Sequence, residues 1–458
     1  MSATNAAVEF IALSDGASIP DEVIRRATQL FTNAVAVTVA GAGEPAAQVL
    51  ARVVAGAPQP GPATLIGSGR STVPLTAALV NGTASHALDL DDGYVRAFHH
   101  PSVGVFAAVL ALAEDRGASG RALIEAFTIG VEVSCRLSDA VDGAHFERGW
   151  HTTGTVGAIG AAAGCARLLG LTPEATRHAL GIAASLAAGI RQNVGTMTKP
   201  LHAGHACHSG VLASLLASQG FDAGSEALEG AYGFARSFNR AALESGWEDR
   251  FSATLGRPYA VIDPGVLIKP APCKTSCAIP ALALLDLVRQ HDIRPDHVEA
   301  IECGVNSQLI DTFVHRSAST PSQAKYCLPY VLAVALIDRQ LGVDQFTAER
   351  IGRDDVMALM RRVNIHVPDA LRGLQGADHY GRMQLRVRRR DDTDVEGWTP
   401  WTATTAAAPY PEDALRERFV ELVGKRVGAG EATASWDIAR ALPNLTPDAL
   451  RDFMARLA

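Results

Sequence analysis

The amino-acid sequence predicts a mainly α-helical protein that also contains a smaller α+β part. Apolar residues recur at helical spacing from Pro20 to about Phe251, the spacing changes near Val266, and helical spacing returns after Trp398. The chain is rich in alanine and contains 42 glycines, whereas aromatic residues make up only 6% of it, a composition typical of closely packed helices. We therefore expect one large, all-helical domain built from both ends of the chain.

Short Gly, Pro or Asp breaks divide the first part of the chain into predicted helices. Start signals support several of them, since Pro173 stands in a first turn, Ser119 precedes Gly120, and Pro101 follows His100. The predicted helices are Asp21–Gly41, Val73–Leu90, Val103–Arg116, Gly120–Val141, Thr153–Leu169, Pro173–Ala188 and Gly204–Gln219.

Beyond Val266 apolar and polar residues alternate, as they do in half-buried strands. The predicted strands are His297–Val305, Val363–Val367 and Arg382–Val387, with helices at Ile279–His291, Pro321–Arg339 and Glu349–Arg362. Helices at Pro411–Val427 and Thr446–Leu457 then return the chain to the first domain. The expected domains are a helical one, residues 1–266 with 399–458, and an α+β one, residues 267–398.

Composition excludes several classes of function. The 41 Lys and Arg against 48 Asp and Glu give a net charge of −7 without a basic stripe, which disfavours nucleic acid as a partner. The seven scattered cysteines contain no C-x-x-C pair, which argues against a disulfide framework or structural zinc. No basic signal region or run of ~18 apolar residues is present. We expect a soluble, cytoplasmic protein without a membrane partner.

The first candidate site is the segment NGTASHALDLDD, residues 81–92, followed by His99-His100-Pro101. Asp89 and Asp92 are i and i+3 and are expected on one helix face, so if buried they repel each other and one can hold a proton, while Asp91 points elsewhere. His100 precedes a helix whose positive N-terminal end keeps the ring neutral, as a general base requires.

Other interpretations of the D-x-D-D segment stay open. The aspartates can simply solvate a helix end. The same pattern occurs in terpene cyclases, but 5 Trp, 7 Tyr and 14 Phe offer few rings to line a carbocation pocket. A Mg²⁺ site usually needs substrate phosphates, and no phosphate loop is present.

The second candidate site is Gly149–Gly160, GWHTTGTVGAIG. Its G-x-x-G-x-x-G spacing follows no predicted strand, so it does not indicate a dinucleotide-binding loop. The glycines instead indicate a helix face that permits close packing. His151, just before that helix, is a candidate site residue or a lone structural histidine.

The third candidate site is Arg191–His208, where Lys199, His202, His205 and His208 crowd the start of a helix. Residues three apart turn by about 60° around a helix, so this spacing does not favour a metal. Lys199 and the helix N-terminus suit a bound carboxylate better, and a solvated basic turn is the alternative.

The fourth candidate site is Lys269–Cys277, KPAPCKTSC, at the junction of the two domains. Lys269 and Lys274 stand on a proline-rich loop and are expected to contact an anion bound by the helical domain. Cys273 is a candidate reactive thiol but is more typical of a small buried apolar residue.

Taken together, these segments resemble the MmgE/PrpD family over essentially the whole chain. The likeness rests on NGTASHALDLDD with the following HP, GWHTTGTVGA, TMTKPLHAGHA, LEGAYGF and AKYCLPYVLAVAL. The resemblance implies a large helical domain with an α+β lid, a homodimer, and no metal or organic cofactor. It also implies that Asp89, His100, His151 and Lys199 are catalytic and that Lys269 opens the lid loop.

Two departures from the family pattern accompany this likeness. Gly93 stands where the family commonly has Thr, and the loop to His100 is about one residue longer. Members usually carry a lid histidine after the lysine, whereas this chain has Lys274, Ser276 and Cys277 there.

The resemblance implies a cofactor-independent lyase, a dehydratase or decarboxylase, that transfers a proton next to a carboxylate of a small di- or tricarboxylic acid. Lys199, Lys269 and a helix N-terminus would hold carboxylates, His100 or His151 would move the proton, and Asp89 would orient a histidine. The further expected substrate contacts are Lys274, Asp92 and His202. An epimerase in the same pocket and a non-catalytic metabolite-binding relative are the alternatives, and the sequence does not identify the acid.

Overall fold

The computed structural model describes residues 1–13, 19–94, 96–239, 246–373, 381–391, 393–399, 408 and 410–458. Helices dominate it, which confirms the mainly α fold class. The chain forms two compact units, here called the helical unit (Met1–Gln192, Met197–Ile268 and Pro409–Ala458) and the α+β unit (Asn193–Thr196 and Lys269–Ala408). The sequence predicts domain boundaries after residues 266 and 398, and the two units of the structure divide after residues 268 and 408.

The helical unit begins with eleven helices and four short strands among the described residues. The helices are α1 Ala3–Leu13, α2 Asp21–Gly41, α3 Pro45–Ala55, α4 Pro74–Ala87, α5 Pro101–Arg116, α6 Gly120–Glu147, α7 Thr152–Leu169, α8 Pro173–Leu186, α9 Thr198–Ser218, α10 Phe234–Asn239 and α11 Trp247–Thr254. The strands are β1 Ala63–Leu65, β2 Arg70–Thr72, β3 Asp92–Tyr94 and β4 Val266–Ile268. They form two antiparallel pairs, β1 with β2 and β3 with β4. The expectation of an all-helical domain is therefore wrong in this detail.

The α+β unit is built on one four-stranded sheet in the order β6-β5-β7-β8. Among the described residues its strands are β5 Val298–Gly304, β6 Val363–His366, β7 Gln384–Arg389 and β8 Asp394–Trp398; the β5–β6 pair is parallel and the other two pairs are antiparallel. Its helices are α12 Thr275–Gln290, α13 Ser307–Ile310, α14 Pro321–Ala324, α15 Leu328–Asp338, α16 Ala348–Ile351 and α17 Asp354–Met360. Residues Leu328–Leu336 of α15 are buried in the same apolar core as β5 and β7.

The last helices return to the helical unit, as the sequence predicts. They are α18 Glu412–Val427, α19 Ala429–Ala439 and α20 Pro447–Arg456. No single helix among the described residues is long and apolar enough to cross a membrane. Helices α2 and α3 together have that length and apolar character, but their axes are bent by 78° at the break between them.

Two helices form the centre of the helical unit. Residues 101–114 of α5 and 152–166 of α7 are buried without interruption, so these helices have no polar face. They approach at Gly104 and Gly157, where a Cβ added to Gly104 would lie 3.1 Å from the Cα of Gly157. The prediction that the glycines of this segment form a packing face is confirmed for Gly154, Gly157 and Gly160, whereas Gly149 precedes α7 and a Cβ added to it would meet nothing within 4 Å.

A second close approach joins α4 to α9. A Cβ on Gly82 would lie 2.8 Å from the Cα of Gly204, closer than real side chains come. The Asn81 side chain, one residue earlier, accepts from Ile66 N at 3.0 Å and donates to Thr64 O at 2.7 Å. The NG pair of the first motif thus fixes the position of α4, whose C-terminal end leads into the aspartates.

Helix α9 begins earlier than predicted, at Thr198 rather than Gly204. Pro200 does not prevent this, because the first turn of a helix leaves its N–H groups without intrahelical partners. Lys199 and His202 therefore lie on the first turns of the helix rather than in a preceding loop.

Candidate active site

The candidate site residues of the helical unit lie near the ends of four helices. His86 ends α4, His100 and His151 precede α5 and α7, and Lys199 and His202 lie on the first turns of α9. The close glycine contacts described above hold these helices together. Three helix N-termini, each with partial positive charge, are thereby brought to one region, which favours an anionic ligand.

Asp89 and Lys199 form a buried ion pair. Lys199 Nζ donates to Asp89 Oδ1 at 2.7 Å, and the two side chains are 4% and 3% exposed. Helix α4 ends at Ala87, and Asp89 adopts a left-handed backbone with φ of 55°. Asp tolerates this conformation better than most residues, and it directs the carboxylate to the ammonium.

The helical spacing predicted for the aspartates is wrong. Asp92 does not share a helix face with Asp89, because it lies in β3, paired with Ile268. Its Oδ1 accepts a hydrogen bond from Ser102 N at 3.2 Å, at the N-terminus of α5. A carboxylate at this position stabilises the helix that begins after His100.

Asp91 is not directed away from the site, contrary to the prediction. Its Oδ2 lies 3.1 Å from His86 Nδ1 and 3.1 Å from His100 Nδ1. Asp91 is 1% exposed, so this carboxylate contacts the two imidazoles away from bulk water.

The tautomer of His100 follows from its contacts. His100 Nδ1 lies 2.6 Å from the carbonyl oxygen of Asp92, which can only accept a hydrogen bond, so Nδ1 carries the proton. In the neutral ring Nε2 therefore has the lone pair that a general base needs. The backbone N of His100 donates to Thr153 Oγ1 at 3.1 Å, which ties the ring to α7.

The other imidazoles of the site are buried and neutral. His151 Nδ1 lies 3.0 Å from His202 Nδ1, and the His151 ring stacks on His86 with centroids 5.8 Å apart. Burial, followed by the positive charge of Lys199, lowers the pKa of His86 to about 3 and of His202 to about 4. The same two causes hold the pKa of His151 well below its usual value. The negative charge of an anionic substrate would oppose the effect of the Lys199 charge on these pKa values.

The lysine and three histidines of α9 do not converge. His205 Nε2 lies 3.2 Å from Leu186 O, and His208 Nδ1 lies 3.1 Å from Leu75 O, so only Lys199 and His202 belong to the site. This agrees with the predicted rotation around the helix.

Two groups of residues in the described part of the chain have the spacing of metal ligands. They are His86, His100 and His151, and His86, Asp89 and Asp91, with one atom from each residue within 4.8 Å of the others. The field of the Lys199 ammonium, which with burial lowers the pKa of His86 and His151, also disfavours a cation. The arrangement therefore suits an anion better than a divalent metal.

Comparison with protein-family models identifies the chain. The MmgE/PrpD N-terminal domain matches residues 6–243, and the MmgE/PrpD C-terminal domain matches residues 271–444. The chain belongs to the MmgE/PrpD family. This confirms the resemblance on which the site residues were chosen.

Curated relatives of this MmgE/PrpD protein include cis-aconitate decarboxylases. The enzyme of Aspergillus terreus is 30% identical over 452 residues, which cover 93% of this chain and 90% of the relative. The mouse enzyme is 31% identical over 313 residues, 65% of this chain and 62% of its own length. The human enzyme is 30% identical over 307 residues, 64% and 62% of the two chains.

The two lysines of the fourth candidate site, Lys269 and Lys274, belong to the α+β unit. Lys269 is buried and follows Ile268, the residue that pairs with Asp92. Lys274 Nζ donates to Thr312 O at 2.8 Å and to Thr312 Oγ1 at 2.5 Å. Their contact with a substrate stays a prediction.

Sequence reasoning missed three residues of this MmgE/PrpD site: His86, Asp91 and Arg418. Arg418 is half-buried on α18, donates to Leu90 O, and donates through Nε to Asn33 Oδ1 at 2.9 Å. Its charge also interacts with Asp91. The available signal was its position between Leu415 and Leu422, because a charged residue on the apolar face of a helix needs a buried partner.

Proposed function

We propose that this MmgE/PrpD protein is a cofactor-independent lyase that acts on a small tricarboxylate, with decarboxylation of cis-aconitate as the reaction to test first. The observation that carries the proposal is the location of His100, with Nε2 as its unprotonated ring nitrogen, in a cluster with the buried Lys199–Asp89 pair. The cis-aconitate decarboxylases among its relatives support the choice of acid.

The reaction requires positive charge and one proton. Loss of CO₂ from the CH₂–COO⁻ arm breaks a carbon–carbon bond, and the electron pair forms a new double bond to the central carbon. The former alkene CH then takes up one proton, so a trianion and a proton become a dianion and CO₂. Preorganised cationic groups stabilise the charge that develops in such a step.

Each role falls to a residue with matching chemistry. The Lys199 ammonium has three N–H donors, one directed to Asp89, and with the N-terminus of α9 it binds carboxylate. His100 carries the proton to the alkene carbon, and His151, hydrogen-bonded to His202, contacts a second carboxylate. Asp89 keeps Lys199 charged and in place.

The same groups suit dehydration, the other lyase reaction of the proposal. There His100 would remove a proton next to a carboxylate and hydroxide would leave from the neighbouring carbon. The names of the relatives favour decarboxylation over this route.

An epimerase is the second candidate, and one distance favours it. The His100 and His151 rings have centroids 6.4 Å apart, so two imidazoles, one to remove a proton and one to return it, lie in the same cluster. An epimerase would exchange substrate hydrogen with solvent deuterium without releasing CO₂ or water.

We also propose that Lys269 binds a substrate carboxylate and that the α+β unit serves as a lid. The Lys269→Ala variant should then raise KM for the tricarboxylate. It should leave the pH midpoint of the His100 titration in the substrate-free protein unchanged. An unchanged KM would remove Lys269 from the site.

The test of the function is a product analysis in D₂O. Purified protein should convert cis-aconitate to CO₂ and a five-carbon unsaturated dicarboxylate that carries one deuteron at the former alkene CH. His100→Gln should abolish most of this activity, whereas His208→Gln, a matched change on α9 away from the cluster, should leave it unchanged. Failure to turn over or bind cis-aconitate, 2-methylcitrate or citrate would overturn the proposal.

A further inference from the structure

We propose that Asp91, held in place by His86, positions the His100 ring and stabilises it in the protonated form during turnover. Neither His86 nor Asp91 has a role in the reaction described so far. The proposal rests on the proposed function for the part that His100 plays in catalysis, but its central claim is a property of the substrate-free protein.

Asp91 is an acceptor that His86 and His100 share. A carboxylate oxygen accepts more than one hydrogen bond, and Asp91 Oδ2 lies 3.1 Å from the Nδ1 atoms of both His86 and His100. Because Nδ1 of His100 is fixed as a donor by Asp92 O, the ring cannot exchange its two nitrogens without losing these contacts. Asp91 therefore helps to keep the reactive Nε2 in one direction.

The His86 and His100 rings differ in burial. The His86 side chain is fully buried, while that of His100 is 19% exposed. A charged imidazole is far less costly where water can reach it. When a proton arrives, the negative charge of Asp91 stabilises it on His100, and His86 stays a neutral donor that fixes the carboxylate.

The His86 ring packs against both predicted acid–base residues. Its centroid lies 4.8 Å from that of His100 and 5.8 Å from that of His151. His86 Nε2 is buried and has no hydrogen-bond partner among the described residues. A histidine kept in place only for packing would not need its Nδ1 directed at a carboxylate.

Other charges act on the same cluster. Negative groups favour the protonated form of His100, and the cations oppose it. The titratable and charged groups that face the cluster from the surrounding elements are Asp89, Asp92, His99, His151, His202, Lys199, Arg26 and Arg418. Asp91 differs from the other two aspartates because its carboxylate contacts both rings directly.

The test is the titration of the His100 ring in Asp91→Asn, a nearly isosteric change that removes the charge. Imidazole NMR signals of the substrate-free protein, assigned with His100→Gln, should show the His100 midpoint move to lower pH by about one unit or more. The acidic limb of the kcat profile should move in the same direction, with KM changed little. A purely structural role would lower the melting temperature and leave the midpoint in place, and that result would overturn the proposal.

A second pair of variants covers the case in which Asp91→Asn does not fold. His86→Asn keeps a donor at the position of Nδ1, whereas His86→Leu removes it. We expect His86→Leu to lower kcat about tenfold or more and His86→Asn to recover a large part of that loss. Equal kcat in the two variants would contradict the role of His86 in holding Asp91.

The outcomes separate this inference from the proposed function. A shifted His100 titration in a protein that turns over none of the acids would refute the lyase and keep the positioning pair. Normal lyase activity with an unshifted titration would refute the pair and keep the lyase.

Discussion

Lys199 Nζ lies 2.7 Å from Asp89 Oδ1, and both partners are shielded from water. Asp89 reaches this position only through a left-handed backbone, which costs a non-glycine residue roughly 1–2 kcal/mol. Strain of this kind persists where the surrounding structure compensates for it, and it is common at functional sites. The pair therefore holds a positive charge beside the neighbouring histidines, which adds to the effect of burial in lowering the pKa of His86, His151 and His202.

Replacing Asp89 by Asn should destabilise the protein strongly, because the buried ammonium of Lys199 loses its counter-ion. Removing one partner of a buried pair costs about 3–5 kcal/mol, and Asn tolerates the left-handed backbone, so the change isolates the charge. Urea unfolding of Asp89→Asn, Lys199→Met and the double variant measures the loss in the free energy of unfolding. The double variant should recover most of the loss, and additive losses would contradict the coupling.

His100→Gln should lower kcat by about 10²–10⁴-fold with little change in substrate binding or folding, because general acid–base catalysis contributes this much. Lys199→Ala should mainly raise KM for the carboxylate substrate. Steady-state kinetics separates the two effects. Wild-type turnover in His100→Gln together with loss of activity in His151→Gln would transfer the role of the base to His151.

The folded protein should lose stability as the pH falls below neutrality. Burial lowers the pKa of His86 and His99 to about 3 and of His145 and His202 to about 4, while the unfolded chain binds these protons near pH 6.5. Above pH 6.5 both states are neutral at these residues and they contribute nothing. Between about pH 6.5 and 4 each lowers the free energy of unfolding by up to about 1.4 kcal/mol per pH unit.

Urea unfolding at pH 7 and pH 5 measures this dependence. Replacing His297 by Gln provides the control, because this side chain is already exposed to water in the folded protein. An equal free energy of unfolding at the two pH values would show that the four rings are not buried neutral.

Purified protein should contain no stoichiometric metal, since the ammonium of Lys199 disfavours a cation beside His86, His100 and His151. Elemental analysis and activity after dialysis against a chelator test this expectation. One equivalent of zinc or iron that is lost together with activity would instead make the three histidines its ligands.

Gly82→Ala should destabilise the protein by about 1–3 kcal/mol or more, because its Cβ would be forced against the Gly204 backbone. The change should also lower kcat/KM, since α9 carries Lys199. Thermal melting and kinetics measure both effects. Gly430→Ala, where a Cβ meets nothing within 4 Å, should change neither, and equal behaviour of the two variants would contradict the close packing.

Long elements with a regular pattern could be predicted from the sequence. Helix α2 has the predicted bounds Asp21–Gly41, because one amphipathic stripe and an acidic first turn determine both its face and its start. The predicted helices Pro321–Arg339 and Glu349–Arg362 are each interrupted, at Lys325–Cys327 and at Gly352–Arg353. Periodicity continues across such breaks although the backbone does not.

Features set by distant contacts could not be predicted. Strands β3 and β4 have three residues each and are far apart in the chain, so neither carries an alternation that identifies it. The end of α4 depends on Asp89 meeting Lys199, 110 residues away. The choice of His100, His151 and Lys199 came from motifs, whereas His86 and Asp91 became visible only when their hydrogen bonds were known.

The contact of Arg418 with the turn after α4 has a consequence for how the protein is made. The carbonyl of Leu90 meets its guanidinium partner only after more than 300 further residues have been synthesised, since Arg418 lies on α18. A chain cut after residue 243, where the N-terminal family match ends, would contain His100, His151 and Lys199 but not Arg418. The first half of the chain therefore cannot complete its own site on the ribosome, and gene fragments that follow the family-domain boundaries would express an incomplete protein.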